Sequence, residues 1–226
     1  MKKPSLPGCD EPWSFILTEK LTLVVGTRNV KKKKEIERIL EGFPVCLQSL
    51  DDYPGAPEVD EDAASFEGNA RKKALTLADG LDGWVVADDS GLEVDALEGR
   101  PGVRSARYAG PGATDADLCR KVLAELEGVP EDKRSARFRC AIAVARPGEV
   151  LFTVESRCEG RINGEMKGAG GFGYDPIFFY PQKARTFAEM SPDEKNSVSH
   201  RGRALAMFKA ELRKYLNKEE TAERSR

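Results

Sequence analysis

Leu21-Thr22-Leu23-Val24-Val25-Gly26 is a short apolar run rich in β-branched residues, the pattern of a strand buried on both faces. Directly after it, Asn29 can cap a helix whose apolar positions Ile36, Ile39 and Leu40 share one face. Gly42 ends that helix, and Phe43 to Leu47 predicts a second strand. The chain therefore opens β-α-β, which predicts an α/β fold with some parallel pairing.

The same periodicities continue outward. Asp51 to Asp62 is rich in Pro, Gly and acid and predicts a loop. Ser65 to Leu81 predicts a helix with Phe66, Ala70, Ala74, Leu77 and Ala78 on one stripe. Trp84 to Ala87 predicts a strand that stops at Asp88-Asp89-Ser90-Gly91, residues that favour a turn. Asp115 to Leu126 predicts a helix. Ser135 to Ala145 and Val150 to Glu159 predict a long hairpin turned at Pro147-Gly148, with Phe138, Cys140, Ile142 and Val144 on one face. Ile177 to Phe179 predicts a short strand, and Ser197 to Leu216 an amphipathic closing helix. Residues 1–20 are expected to be a weakly ordered extension without a secretory leader's apolar core. Residues 21–216 are expected to form a single domain and 217–226 a charged tail.

Composition narrows the chemistry. The 226 residues are 40% hydrophobic and 33% charged, which predicts a soluble globular chain with no membrane span. A net charge of −2 supplies no global field for nucleic acid, so a polyanion must be held by a local cluster of cations. Five scattered cysteines without a Cys-x-x-Cys pair argue against zinc or a disulfide framework and predict a reducing, cytoplasmic setting. The single histidine, His200, excludes His-rich metal sites and points instead to carboxylates, which favour Mg²⁺ or Mn²⁺.

Five clusters can carry chemistry. Gly26-Thr27-Arg28-Asn29 with Lys31 to Lys34 stands at a strand-to-helix junction suited to phosphate, although a plain capped helix has the same residues. Asp60-Glu61-Asp62 matters only if it faces another carboxylate; alone it reads as a solvated loop. Asp88-Asp89 follows a buried strand, where paired carboxylates can hold Mg²⁺ and polarise water. Gly168 to Asp175 has four glycines in six residues, with Phe172 and Tyr174 able to stack on a base and Asp175 able to read a ring N–H. Lys195 and Ser199-His200-Arg201-Gly202 offer donors near the last helix. No serine or cysteine has an obvious base beside it, so water is the expected attacker.

These residues fall into six ordered motifs. They are Thr27-x-Asn29-x-x-Lys32, Ser65-Phe66-x-x-Asn69-Ala70-x-x-Lys73-Ala74, Ala87-Asp88-Asp89-Ser90-Gly91, Pro101-Gly102-Val103-x-Ser105-Ala106-Arg107, Gly170 to Pro176, and Ser199-His200-Arg201-Gly202. From about Leu21 to Leu216 the chain resembles the inosine/xanthosine triphosphate pyrophosphatase family, Ham1-like enzymes that clear non-standard purine nucleotides. The resemblance implies an elongated mixed α/β sheet with flanking helices, two lobes around a cleft, and a homodimer. It implies hydrolysis of ITP, dITP, XTP or dXTP to the monophosphate and pyrophosphate, with Mg²⁺ as cofactor. By motif position Asp89 resembles the general base and a metal ligand, and the acidic loop resembles the family's metal-binding glutamates. Thr27, Arg28, Asn29, Lys32, Lys73 and Ser90 resemble the substrate contacts. Phe172, Gly173, Tyr174, Asp175, Lys195, His200 and Arg201 resemble the base-recognition set.

Relatives usually read Glu-Glu-Asp-Gly where this chain has Asp60-Glu61-Asp62-Ala63, so Asp60, Glu61 and Asp62 stand as alternatives for the metal. Asp88 and Glu61 are both expected to raise the Asp89 pKa by like-charge repulsion. A Maf-type pyrophosphatase is disfavoured by the Gly170 to Pro176 loop, and a non-catalytic nucleotide sensor by the full carboxylate set.

Overall fold

In a computed structural model, described here over residues 21–224, seven strands form one mixed sheet in the order β2-β1-β3-β4-β5-β6-β7. The expectation for residues 1–20 lies outside the described residues. The opening unit is β1 (Leu21–Val25), α1 (Val30–Ile39) and β2 (Val45–Ser49), with β1 and β2 parallel in register Leu21↔Val45. The second strand thus begins two residues later than the pattern predicts. Next come α2 (Phe66–Leu81) and β3 (Trp84–Val94), and β3 runs parallel to β1 from Leu23↔Trp84 to Val25↔Val86. After α3 (Asp115–Glu125), the hairpin β4 (Ser135–Arg146) and β5 (Glu149–Ile162) is antiparallel to β3 and turns at residues 147–148 as predicted. Short strands β6 (Phe178–Tyr180) and β7 (Arg185–Thr186) extend the sheet, and β7 has no sequence pattern of its own.

Two expectations need correction. The strand does not stop at Asp88: β3 continues through Asp88-Asp89-Ser90-Gly91 to Val94, because every residue from Val85 to Val94 is paired with β4. Turn propensity is a local preference, and ten consecutive cross-strand pairs outweigh it. The closing helix, expected from Ser197, begins instead at His200 as α5 (His200–Arg224), and a separate helix α4 (Pro192–Val198), for which the pattern predicts no element before Ser197, ends at Ser199, whose backbone is extended (φ −72°, ψ 156°). The helix α5 runs on past Leu216 to Arg224.

Both faces of the central strands are covered. Ala87, Ala141, Ala143 and Ala145 pack under Phe66, Ala70, Ala74 and Leu77 of α2. The small residues let the helix lie close to the sheet. On the opposite face Val86, Cys140, Ile142 and Val144 pack against Ala204, Leu205, Phe208 and Leu212 of α5. A third apolar cluster, around Leu92, Val94, Phe138, Phe178 and Phe187, fills the far half of the long strands beneath α3. β3 and β4 pass from the first two clusters to the third.

Candidate active site

Beyond Val86, β3 loses its neighbour on one side. Gly26 N–H donates to Val86 O at 2.7 Å, and the chain then leaves the sheet for α1. A Cβ at Gly26 would meet Val86 O at 3.1 Å and Leu77 Cδ1 at 3.0 Å, so glycine permits this exit. The edge of β3 from Ala87 onward is free of β1, at the carboxyl end of β1, where α/β sheets bind ligands.

Consecutive strand residues point to opposite faces, so Asp88 and Asp89 part company. Asp89 faces α2. Its carboxylate accepts from Asn69 Nδ2 at 2.9 Å and from Ser90 N at 2.8 Å. Burial raises its pKa; the Asn69 hydrogen bond opposes that, and the Glu61 charge adds to it. Asn69 and Lys73 lie one turn apart on α2 and so project together. Lys73 Nζ donates to Asp88 O at 2.9 Å and also pairs with Glu61. Arg107 donates to the Glu61 carbonyl at 2.7 Å and ties down the acidic loop.

Asp88 faces α5 and α1. It pairs with Lys32 at 2.8 Å and with Arg201 at 2.9 Å. Burial works against its ionisation, yet the charges of Arg201, Lys32 and Lys73 hold its pKa well below the usual carboxylate range. The Arg201 guanidinium also donates to Ser90 Oγ at 2.7 Å and lies 3.2 Å from Glu35. Glu61 is therefore the like charge acting on Asp89, whereas Asp88 is neutralised on the other face of the sheet.

The remaining expected residues are distributed around this edge. Thr27 Oγ1 accepts from Asn29 N at 3.1 Å, and the Asn29 side chain accepts from Lys31 N and Lys32 N as the α1 cap. Arg28 is exposed. Asp175 Oδ2 accepts from Phe172 N at 2.8 Å and from Lys195 Nζ at 2.5 Å, and Lys195 lies 4.4 Å from the Phe172 ring centroid. His200 is stacked on Phe138 at 4.7 Å, and its Nδ1 has no hydrogen-bond partner among the described residues. Burial first, then the neighbouring Arg201, Lys195 and Lys32 charges, depress its pKa well below the ordinary imidazole value, so the ring is neutral.

Several residues fall elsewhere than the sequence suggests. Tyr174 is buried in the core under α3 and donates its hydroxyl to Ser105 O at 2.8 Å, so it fixes the loop and is not a stacking surface. Gly173 accepts from Cys119 Sγ at 3.4 Å and has a positive φ of 60°. Asp60 is exposed, and Asp62 pairs with Lys72 at 2.7 Å, which leaves Glu61 as the acid of that run turned toward Asp89. Two site residues escaped the sequence reading as side chains with a role. Asn69 is completely buried in the first turn of α2, and its place in the second motif was the available signal. Glu35, one turn after Lys32, shows only helical spacing.

Among the described residues no three His, Cys, Asp or Glu side chains converge into a preformed metal cage. Glu61, itself paired with Lys73, and Asp89 are instead two carboxylates near enough for the charge of one to act on the other. That suits Mg²⁺, which typically takes one or two carboxylates, several waters and substrate phosphates.

The Ham1 family model matches residues 23–211 of this chain. A dITP/XTP pyrophosphatase of Geobacter sulfurreducens is 52% identical over 190 residues, 84% of this chain and 96% of that protein. One of Desulfotalea psychrophila is 51% identical over 84% of each chain. A HAM1 protein from Coxiella burnetii superposes with a TM-score of 0.81 at 38% identity, covering 86% of this chain and 99% of that one. A nucleoside-triphosphatase/dITP/XTP pyrophosphatase from Mycobacterium abscessus gives 0.71 at 46% identity, over 83% and 97%. With a family match from residue 23 to 211 and a relative 52% identical over 84% of the sequence, this chain belongs to the Ham1 family.

Proposed function

We propose that the chain is an Mg²⁺-dependent pyrophosphatase that hydrolyses non-standard purine nucleoside triphosphates, ITP and dITP or XTP and dXTP, to the monophosphate and pyrophosphate. One observation carries the proposal: Asp89, buried, with a raised pKa and oriented by Asn69, beside a free strand edge ringed by Lys32 and Lys73. In the reaction the oxygen of a water bonds the α-phosphorus in line with the departing bridge oxygen. The α-phosphorus–bridge bond breaks, and pyrophosphate leaves. Asp89 takes the water's proton; burial and the Glu61 charge favour its protonated form, and a bound Mg²⁺ would oppose that. Lys32 and Lys73 exchange their present carboxylate and carbonyl partners for phosphate oxygens and stabilise the charge that builds there. Glu61 and Asp89 would hold Mg²⁺, which supplies further neutralisation when bound.

Selectivity follows from donors. Hypoxanthine and xanthine present a 6-oxo acceptor where adenine presents an amino donor. Lys195 and the main chain of the glycine loop reward the oxo group, and an adenine leaves a buried donor unpaired, a loss of about 1–3 kcal/mol. The free thiols of Cys119, Cys140 and Cys158 support a reducing cytoplasm, and no helix among the described residues is long and apolar enough to cross a membrane. The homodimer is the family's arrangement, and sedimentation velocity reads it directly. The function is tested with a triphosphate panel in Mg²⁺, measuring pyrophosphate against phosphate. Release of pyrophosphate from ITP or XTP well above ATP is expected, and Asp89→Asn should lose at least about 100-fold. No release from any triphosphate by the wild type refutes the enzyme reading; near-full rate in Asp89→Asn refutes the base assignment.

A further inference from the structure

Lys31 is the neighbour of a proposed phosphate ligand, yet it does not point to the phosphate side. Successive residues on a helix are rotated by about 100°, so Lys32 reaches Asp88 while Lys31 turns toward the glycine loop. Its Nζ donates to Gly171 O at 3.1 Å, across 140 residues of sequence. The same ammonium lies 5.3 Å from the Phe172 ring centroid, and Lys195 lies 4.4 Å from it. Asp175 completes the tie by accepting from both Phe172 N and Lys195.

The loop needs such a tie. Four glycines between Gly168 and Gly173 make it entropically costly to order. Gly171 has φ +73°, and a Cβ there would collide with the Asp175 carboxylate, so the loop cannot be stiffened by replacing that glycine. A contact from the rigid α1 supplies the constraint from outside.

We propose that Lys31 is a positioning residue that anchors the Gly168–Gly173 loop to the first turn of α1, so that the helix gripping the phosphates also fixes the aromatic platform for the base. Lys31 and Lys32 thereby set the spacing between the two ends of a bound nucleoside triphosphate. This rests on the loop's role in base recognition, and it concerns binding, since Lys31 touches neither Asp89 nor the phosphate side.

The test compares wild type, Lys31→Ala and Lys31→Arg in steady-state hydrolysis of ITP, with inorganic tripolyphosphate as a base-free competitor. Lys31→Ala is expected to raise KM for ITP about two- to fivefold, the ratio that one exposed cation–π contact supplies, with kcat unchanged. Tripolyphosphate inhibition should be unchanged, and Lys31→Arg should restore KM. Hydrogen exchange should show faster opening of the 168–173 amides in Lys31→Ala. An unchanged KM overturns the proposal. So does equal weakening of ITP and tripolyphosphate, which would make Lys31 a phosphate ligand, and so does a fall in kcat alone. If the wild type itself releases no pyrophosphate from ITP, it is the enzymatic reading that fails; exchange of the loop amides still decides whether Lys31 anchors the loop.

Discussion

Asp88 and Arg201 are both buried and meet at 2.9 Å, so removing either leaves a charge without its main partner. Replacing one member of such a pair costs about 3–5 kcal/mol. Arg201→Met should fall at the lower end, because Lys32 still pairs with Asp88 at 2.8 Å. Urea unfolding reads this directly; a loss below 1 kcal/mol would show that the pair is dispensable to the fold and that Arg201 is there for substrate alone. His200 makes a separate prediction. Its folded pKa is depressed by burial, whereas in the unfolded chain it titrates near about 6.5. Below that pH the unfolded state binds the extra proton, so stability falls as pH drops, by up to about 1.4 kcal/mol per pH unit. As the only histidine in the sequence it can be isolated: the wild-type minus His200→Gln difference in unfolding free energy should shrink between pH 7 and pH 5. A constant difference would mean that His200 takes up its proton in the fold. At this scale motifs locate residues but not the direction of their side chains. Asp88 and Asp89 read as a pair, and only the strand's two-residue alternation puts them on opposite faces.

Elements decide which of those residues meet. The sequence pattern starts the closing helix at Ser197 and misses most of α4, yet the break at Ser199 sets Lys195 and the pair His200 and Arg201 on two separate helices. Gly202 makes the break possible, since a Cβ there would overlap the Asn196 main chain. Gly202→Ala must push α4 away from α5. It should destabilise the protein by at least about 2 kcal/mol and raise KM for ITP more than it lowers kcat, because Asp89 and Asn69 sit on other elements. Thermal unfolding with ITP kinetics checks both; an unperturbed Tm would show that the junction relaxes freely. α1, the α2 stripe and the β4–β5 hairpin were legible because their periodicities run for ten residues or more, and the five-residue β1 from its apolar run rich in β-branched residues. The continuation of β3 was not, because Asp-Asp-Ser-Gly has turn chemistry and only the partner strand β4 overrides it. The two-residue β7 was invisible for want of length.

Across the whole molecule, the three apolar clusters are not separable cores. β3 gives Val86 to one, Val85 and Ala87 to another, and Leu92 and Val94 to the third; β4 likewise serves all three. No cluster can come apart without disturbing strands that the others also bury, so a single cooperative transition is expected. The α/β class was readable from the sequence, whereas the division into lobes came only from the resemblance, because no linker or change in composition marks it. The proposed active site lies on β3 between these clusters, so ligand binding there is expected to act on the stability of the entire sheet. With Asp89→Asn protein, ITP and Mg²⁺ at about 100 times Kd should stabilise the fold by about 2.7 kcal/mol. For a chain of this size that corresponds to a Tm rise of about 5–11 °C. Native-state hydrogen exchange should then show the Val86 and Leu92 amides, from opposite halves of β3, gaining protection by the same amount. A gain confined to Val86 would mean that the halves open independently, and that the nucleotide is held by one lobe alone.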